Sequence, residues 1–487
     1  MTNGNPMRHL LILLPGIMGS VLQRDGRDIW ALSGQALWQY LRTAHTVGES
    51  LQLLRIIDDD WQQDDLEDGI SATRLIEDLH SVPGLVEHAG YSVIARRLVE
   101  YFDVTEGSNY VPREDANFFT FPYDWRRDNR ASARKLRDFV EQQLPRWRSW
   151  SGADDAQVIL IAHSMGGLVS RYYLEVLGGW RDCRALITVG TPHRGSLGAL
   201  DTLSNGVKKL FLDLSTVVRS FTSVYQLLPT YPVVEVNGTC LRVAETDAIA
   251  NVDRQRAQVA REQFHEMIRQ AALRNRAEPA YRQSTIPWVG TRQDTLQSAL
   301  LSEGNLVLRY FAPAGLDTSL ADGDGTVPRV SAIPADLDGQ GLERFAVERH
   351  GWLTNNDMTL EPLLDTLTQI VASGTQDLYG EPEKARPAIN LRLDSLYLAD
   401  EPVSLSVRLL NAGDHPQSLV VGIEPVGHQG AGLVQAIQAD SAAPAAVEFD
   451  GLAPGLYRLT VGPQTPAPHA PTPIHGVFEV VDPSGVV

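Results

Sequence analysis

Short runs of consecutive apolar residues recur along the first 350 positions of the chain. Runs of this length are typical of strands buried on both faces of a sheet. Between the runs, apolar residues are spaced as on one face of a helix. Strands are therefore predicted at 9–14, 118–125, 158–162, 184–189, 286–290, 306–311 and 345–348, and helices at 91–102, 130–144 and 357–372. The alternation of strands and helices predicts an α/β fold with a parallel sheet.

The pattern changes beyond residue 387, where only strand-like segments remain. Val403, Leu405 and Val407 alternate with polar residues, which is the period-two pattern of a half-buried strand. Further short strands are predicted near 389–393, 418–424, 445–449, 456–461 and 476–481. We therefore expect a first domain over 1–378, a polar linker over 379–387, and an all-β, immunoglobulin-like sandwich over 388–487.

One stretch carries a catalytic motif. Residues 162–166 read Ala-His-Ser-Met-Gly and stand between a predicted strand and helical spacing. This pattern is typical of the nucleophile elbow of α/β-hydrolases, where a tight turn needs small residues two positions before and after the serine. Ala162 replaces the usual glycine but adds only a methyl group. The motif predicts an α/β-hydrolase fold with Ser164 as nucleophile and the backbone N–H of Met165 as an oxyanion donor.

A second oxyanion donor is expected from the loop that follows an early strand. The first predicted strand ends in Pro-Gly-Ile-Met-Gly-Ser at 15–20. Gly16 allows the backbone to approach the reaction centre closely. The N–H of Ile17 is therefore our candidate donor, and an ordinary glycine turn is the alternative.

The catalytic base of this fold lies last in the chain, on a loop at the carboxyl edge of the sheet. His350 directly follows the last predicted strand and meets this requirement. His193 follows the strand predicted at 184–189 and is the weaker candidate, because the fold places the base last in the chain. The sequence therefore favours His350 as the base.

Several segments resemble, in the same order, those of the lecithin:cholesterol acyltransferase-like family. By this resemblance, which spans residues 8–370, Asp324 is the acid of a Ser164–Asp324–His350 triad, and Asp322 is the fallback. A Ca²⁺ site in the same glycine-rich loop is less favoured, because further oxygen ligands are lacking. The segments are 14–20 with Trp30, Tyr-Asp-Trp-Arg at 123–126, the elbow, Gly-Thr-Pro-His-Arg-Gly at 190–195, and Gly-Asp-Gly-Thr-Val-Pro at 323–328.

Two excursions interrupt the predicted strand order, at about 31–90 and 200–285. The first holds tryptophans, many leucines and a run of aspartates. It is either a structural cap or, by the family resemblance, a segment that contacts membrane or substrate. The second is dense in apolar residues between 210 and 228. These residues form either a buried helical hairpin or a lid over an acyl chain, and the resemblance supports the lid.

Composition excludes several classes of function. The chain has 42 Lys and Arg against 60 Asp and Glu, so its net charge of −18 argues against nucleic acid as a partner. Two cysteines imply no disulfide framework. No apolar stretch is long enough for a membrane span, and the apolar start at 10–14 runs into Pro-Gly instead of a signal cleavage site. We expect a cytoplasmic protein that needs no metal or cofactor.

These motifs together predict a serine hydrolase that works through an acyl-enzyme. The resemblance implies a lipid ester, most simply a phospholipid at a membrane surface, with the acyl group passed to water or to an alcohol. A hydrolase of soluble esters and a non-catalytic binding protein on a hydrolase scaffold are the alternatives. For the sandwich, fold analogy suggests docking of a protein partner.

Overall fold

A computed structural model describes most of the chain. The described residues are 4–30, 52–77, 80–82, 86–108, 113–209, 212–375, 378, 386–412, 416–427, 430–465, 467 and 470–482. Two predicted segments lie partly outside them. These are residues 31–51 of the first excursion and residues 379–385 of the linker.

A six-stranded parallel sheet forms the centre of the first domain. Its strands, from one edge to the other, are Arg344–Ala346, Thr285–Gly290, Cys183–Val189, Val158–His163, Leu10–Leu14 and Phe118–Thr120. The strand predicted at 118–125 ends at Thr120, since Pro122 cannot donate a ladder hydrogen bond. The segment predicted at 306–311 is a strand, Asn305–Arg309, but it belongs to a different sheet.

Helices cover both faces of this sheet, and the apolar strands explain why. In the strand Leu10–Leu14, Leu10, Ile12 and Leu14 enter one core, whereas Leu11 and Leu13 enter the other. Asn129–Ser151 and Met165–Arg171 pack on the first face, and Ser92–Tyr101 and Asp357–Ser373 pack on the second. The sheet order, with the elbow after the strand Val158–His163, is that of an α/β-hydrolase, and the predicted fold is confirmed.

The first excursion is joined to a small antiparallel sheet. A three-stranded antiparallel sheet is built from Ser20–Arg24, Arg27–Trp30 and Ile70–Leu75, and a hairpin of His80–Val82 and Val86–His88 follows. The chain therefore leaves the central sheet before residue 31, and the predicted bounds of the excursion stay a prediction. The cause is a tight turn at Asp25 and Gly26, both with positive φ, which reverses the chain before Trp30.

The second excursion is a layer of short helices beside a small sheet. A four-stranded sheet runs in the order Thr239–Leu241, Val234–Val236, Ser298–Ser302, Asn305–Arg309. The helices are Leu197–Ser204, Ser215–Ser220, Thr222–Tyr225, Arg254–Ala260 and Glu266–Asn275, the last two joined by a π-helical turn, Arg261–His265. Residues 210 and 211 of the predicted apolar run lie outside the described residues. None of the described helices is long and apolar enough to cross a membrane.

The C-terminal domain consists of two sheets that share one apolar core. The first contains Ala388–Leu393, Val403–Leu410 and Ala445–Phe449, and the second contains Leu396–Leu398, Ile474–Val481, Gly455–Pro463, Gln417–Val426 and Leu433–Ala439. The alternation of Val403, Leu405 and Val407 places these side chains in the core. The immunoglobulin-like connectivity stays a prediction.

Candidate active site

The elbow holds Ser164 in a strained backbone conformation. Its φ is 51° and its ψ is −125°, between the strand Val158–His163 and the helix Met165–Arg171. A Cβ on Gly166 would lie 2.4 Å from the carbonyl oxygen of Pro15, and one on Gly16 would lie 2.8 Å from the Cβ of Ser164. The elbow therefore needs glycine at position 166, and the loop 15–20 needs glycine at position 16. The two glycines let this loop lie against the serine.

Ser164, His350 and Asp324 lie in hydrogen-bonding contact. Nδ1 of His350 is 2.7 Å from Oδ2 of Asp324, and Nε2 of His350 is 2.9 Å from Oγ of Ser164. A carboxylate only accepts hydrogen bonds, so Nδ1 carries the proton and Nε2 is left to accept the serine hydroxyl. This tautomer is the one that a general base needs.

Asp324 is held in place by its own loop. Its Oδ1 accepts the N–H groups of Thr326 and Val327 at 3.0 and 2.7 Å, which leaves Oδ2 for His350. The backbone N–H of His350 also donates to the carbonyl oxygen of Asp324 at 2.8 Å. Asp322, the fallback acid, instead accepts the N–H of Arg292 at 3.0 Å.

His193, the weaker candidate for the base, serves another contact. Its Nε2 lies 3.1 Å from the hydroxyl of Thr188, and burial lowers the pKa of this imidazole well below its usual value. The structure therefore pairs His350, rather than His193, with Ser164.

The two candidate oxyanion donors flank the serine. Met165 is the first residue of the helix that follows the elbow, where a backbone N–H has no acceptor within the helix. Ile17 lies in the wall of the same cavity as Ser164. The neighbouring N–H of Gly16 is already engaged, because it donates to the hydroxyl of Tyr91 at 2.7 Å. Ile17 therefore stays the predicted donor of this loop.

Tyr91 and His163 form a hydrogen-bond chain that the sequence did not reveal. The Tyr91 hydroxyl lies 2.9 Å from Nδ1 of His163, and Nε2 of His163 lies 3.2 Å from the carbonyl oxygen of His350. Since a carbonyl only accepts, Nε2 of His163 carries the proton and Tyr91 donates to Nδ1. The chain thus links the loop at Gly16 to the backbone of His350. The only sequence signal is that His163 stands inside the elbow motif.

Three aromatic residues fix the rest of the loop 15–20. The Tyr123 hydroxyl donates to the carbonyl oxygen of Pro15 at 2.9 Å, and the indole N–H of Trp125 donates to that of Ser20 at 3.0 Å. The Trp30 indole donates to the carbonyl oxygen of Met18 at 3.1 Å. All three aromatic side chains are buried. Two of them belong to the Tyr-Asp-Trp-Arg segment, which therefore holds the loop 15–20 in place by hydrogen bonds.

A cavity of about 310 Å³ opens beside Ser164 and His350. The loop 15–20 and the second excursion contribute part of its apolar wall. Its apolar lining includes Ile17, Met18, Val218, Val224, Leu227 and Leu296. The short helices of the excursion therefore line the cavity that opens at the serine and present apolar side chains to whatever occupies it.

Residues 86–280 match the family model described as lecithin:cholesterol acyltransferase (LCAT). This part of the hydrolase domain is similar to the LCAT family. The chain is 33% identical over 106 residues to the human lysosomal phospholipase A and acyltransferase. That match covers 20% of this chain and 24% of the human protein, so it spans about a quarter of the relative's length. The segment matched by the family model contains Ser164 but neither Asp324 nor His350.

Solved structures resemble the chain only distantly. The mature form of the Bacillus licheniformis lipase BlEst2 aligns with 75% of this chain and 94% of its own, with 14% identity and a TM-score of 0.31. A CARDB domain from Pyrococcus furiosus aligns with 21% of this chain and 99% of its own, with 10% identity and a TM-score of 0.16. The fold assignment rests instead on the strand order and the elbow.

Proposed function

We propose that this chain is a serine hydrolase or acyltransferase that acts on lipid esters. The observation that supports this most is the continuous line of contacts from Asp324 through His350 to Ser164, at 2.7 and 2.9 Å. These contacts orient the three side chains as acyl transfer requires.

In the first half-reaction, the Ser164 hydroxyl gives its proton to Nε2 of His350 while its oxygen attacks the acyl carbonyl carbon. Asp324 stabilises the imidazolium that forms. The N–H groups of Ile17 and Met165 donate to the oxyanion. His350 then returns the proton to the leaving alcohol, and the acyl group stays on Ser164. Water or a second alcohol attacks this ester in turn, with His350 again as the base.

The apolar cavity supports a lipid as substrate. Val218, Val224 and Leu227 present aliphatic side chains next to Ser164, and an acyl chain in this cavity would leave water. The human relative is named as a phospholipase A and acyltransferase, which makes a phospholipid the first substrate to test.

Mass spectrometry of lipids tests the proposal. Phosphatidylcholine vesicles, with and without an added long-chain alcohol, are incubated with the wild type, Ser164→Ala and Ser151→Ala. Ser151 is the control because its hydroxyl bonds to Trp147 at the end of a helix remote from the elbow. We expect wild type and Ser151→Ala to release lysophospholipid, and Ser164→Ala to be slower by at least about 10³-fold. Equal product from Ser164→Ala would exclude the proposal.

The two alternatives give different results in simple assays. A hydrolase of soluble esters would show no gain in kcat/KM as the acyl chain of a nitrophenyl ester lengthens, whereas a lipid esterase should. A non-catalytic binding protein would leave Ser164 unlabelled by a fluorophosphonate, since labelling needs an activated serine.

A further inference from the structure

The C-terminal domain contacts the loop that carries His350. Glu348, two residues before His350, is fully buried and accepts hydrogen bonds from both domains. Its Oε2 accepts Nδ1–H of His475 at 2.8 Å and the side-chain amide of Asn356 at 2.6 Å. Its Oε1 accepts the backbone N–H groups of Arg349 and His475 at 2.8 and 3.2 Å. One carboxylate therefore joins the strand Ile474–Val481 to the histidine loop.

We call this contact between the two domains the joint at Glu348. An aromatic stack strengthens it on the other side of His350. The ring of His475 lies on the indole of Trp352, with centroids 4.9 Å apart and planes 22° from parallel. Trp352 also packs with Leu456 and Val477 of the C-terminal domain in a small separate cluster. The residues on both sides of His350 are thus in contact with the β-domain.

A second joint lies beneath the loop of Asp324. The side chain of Gln293 is buried, and its amide forms hydrogen bonds with a strand of the β-domain. Its Nε2 donates to the carbonyl oxygen of Ile389 at 2.9 Å, and its Oε1 accepts the N–H of Leu391 at 3.2 Å. The backbone N–H of Gln293 donates to the carbonyl oxygen of Gly323 at 2.9 Å. Gly323 directly precedes Asp324. Gln293 therefore links the strand Ala388–Leu393 to the residue next to the proposed acid.

We propose that the C-terminal β-domain positions the general base of the site, with His475 and Gln293 as the positioning residues that hold the loops of His350 and Asp324 in register. This inference rests on the serine hydrolase function proposed above. The distance from Nε2 of His350 to Ser164 decides whether the proton transfers, and a misplacement of about 1 Å can cost about 10²-fold in rate. The β-domain itself contributes no reacting group.

Variants of His475 separate its hydrogen bond from its stacking. In the full chain, His475→Phe keeps a ring on Trp352 but removes the donor to Glu348, and His475→Asn keeps a donor but removes the ring. Val421→Ala is the matched control, because Val421 lies in the core of the β-domain and touches neither joint. Activity on a short soluble ester, the rate of fluorophosphonate labelling, the pH profile of kcat/KM and the melting temperature are measured for each.

We expect His475→Phe to lower kcat and the labelling rate by about 10- to 100-fold with KM within about twofold, and His475→Asn to recover most of the loss. Val421→Ala should lower the melting temperature and keep kcat per labelled serine. If His475→Phe keeps wild-type kcat, or loses no more than Val421→Ala at an equal drop in melting temperature, the proposal is wrong.

Gln293→Met is a second test of the proposal, to be used if His475→Phe does not fold. Methionine keeps the size of the glutamine side chain but lacks its amide. The same loss of kcat supports the proposal, and unchanged kcat overturns it. Ser164→Ala identifies the source of a negative result. If Ser164→Ala is inactive while the joint variants are normal, only the positioning role fails, and if Ser164→Ala is fully active, the hydrolase function fails.

Discussion

At the scale of single residues, the hydroxyl of Tyr91 is the contact whose removal is most informative. Tyr91→Phe deprives the N–H of Gly16 of its acceptor and His163 of a donor, at a cost of about 1–3 kcal/mol in stability. Because Gly16 precedes the proposed donor Ile17, we expect kcat on a short ester to fall by about 10-fold or more with little change in KM. Steady-state kinetics and urea unfolding measure both effects.

Tyr457→Phe is the control for this variant. The Tyr457 side chain is also buried, and its hydroxyl donates to the carbonyl oxygen of Ala453 at 2.7 Å within the β-domain. It should lose stability and keep kcat. If Tyr91→Phe behaves in the same way, the chain from Gly16 to His350 has no part in catalysis.

At the scale of elements, two adjacent valines of the helix Ser215–Ser220 test the role of the second excursion. Val217 and Val218 are equally buried, but only Val218 lines the cavity. Val218→Ala enlarges the cavity, so it should raise kcat/KM for longer acyl chains relative to short ones, by about fourfold per added methylene. Val217→Ala should lower stability alone. Equal chain-length profiles for the two variants would show that the helix has no contact with the acyl chain.

The elements that the sequence predicted well are those in which packing dominates. Val158–His163 and Cys183–Val189 are within one residue of the predicted bounds because strands with two buried faces must be apolar throughout. The strand Leu433–Ala439 was missed because it is an edge strand whose side chains are mostly exposed. The hairpin around Asn237 and Gly238 was also missed, although an Asn-Gly pair with positive φ at both residues is a strong signal for such a turn.

The site was predicted where its chemistry is local in sequence. Ser164 was proposed from the small residues that an elbow requires, and His350 from its place after the last strand. The roles of Glu348 and Gln293 were not foreseen, because their partners lie about a hundred positions away in a domain without catalytic motifs. Hydrogen bonds between distant segments leave no periodic pattern in a sequence.

At the scale of the whole molecule, two half-buried histidines, His193 and His265, predict the response of stability to acid. Burial lowers the pKa of His265 to about 4 and that of His193 well below its usual value of 6.5. Below about pH 6.5 the unfolded chain therefore binds more protons than the folded protein does. The free energy of unfolding should fall as the pH decreases from 6.5 to 4, by about 1.4 kcal/mol per pH unit for each histidine.

Urea unfolding at a series of pH values measures this slope. His265→Gln keeps a donor for the carbonyl oxygen of Gln226 but does not titrate in this range. The variant should therefore have a slope that is smaller by one proton. An unchanged slope would mean that His265 is already protonated in the folded protein or does not titrate in the unfolded chain.

The joint at Glu348 also has a consequence for biosynthesis. His475 follows His350 by 125 positions, so at about 5–20 residues per second the ribosome adds it roughly 6–25 s after the catalytic base. During that interval the nascent chain contains the whole triad but lacks the strand that holds the histidine loop. Under the positioning role proposed for His475, a lipid-cleaving enzyme would remain weakly active at the ribosome and become fully active only after its β-domain has been made.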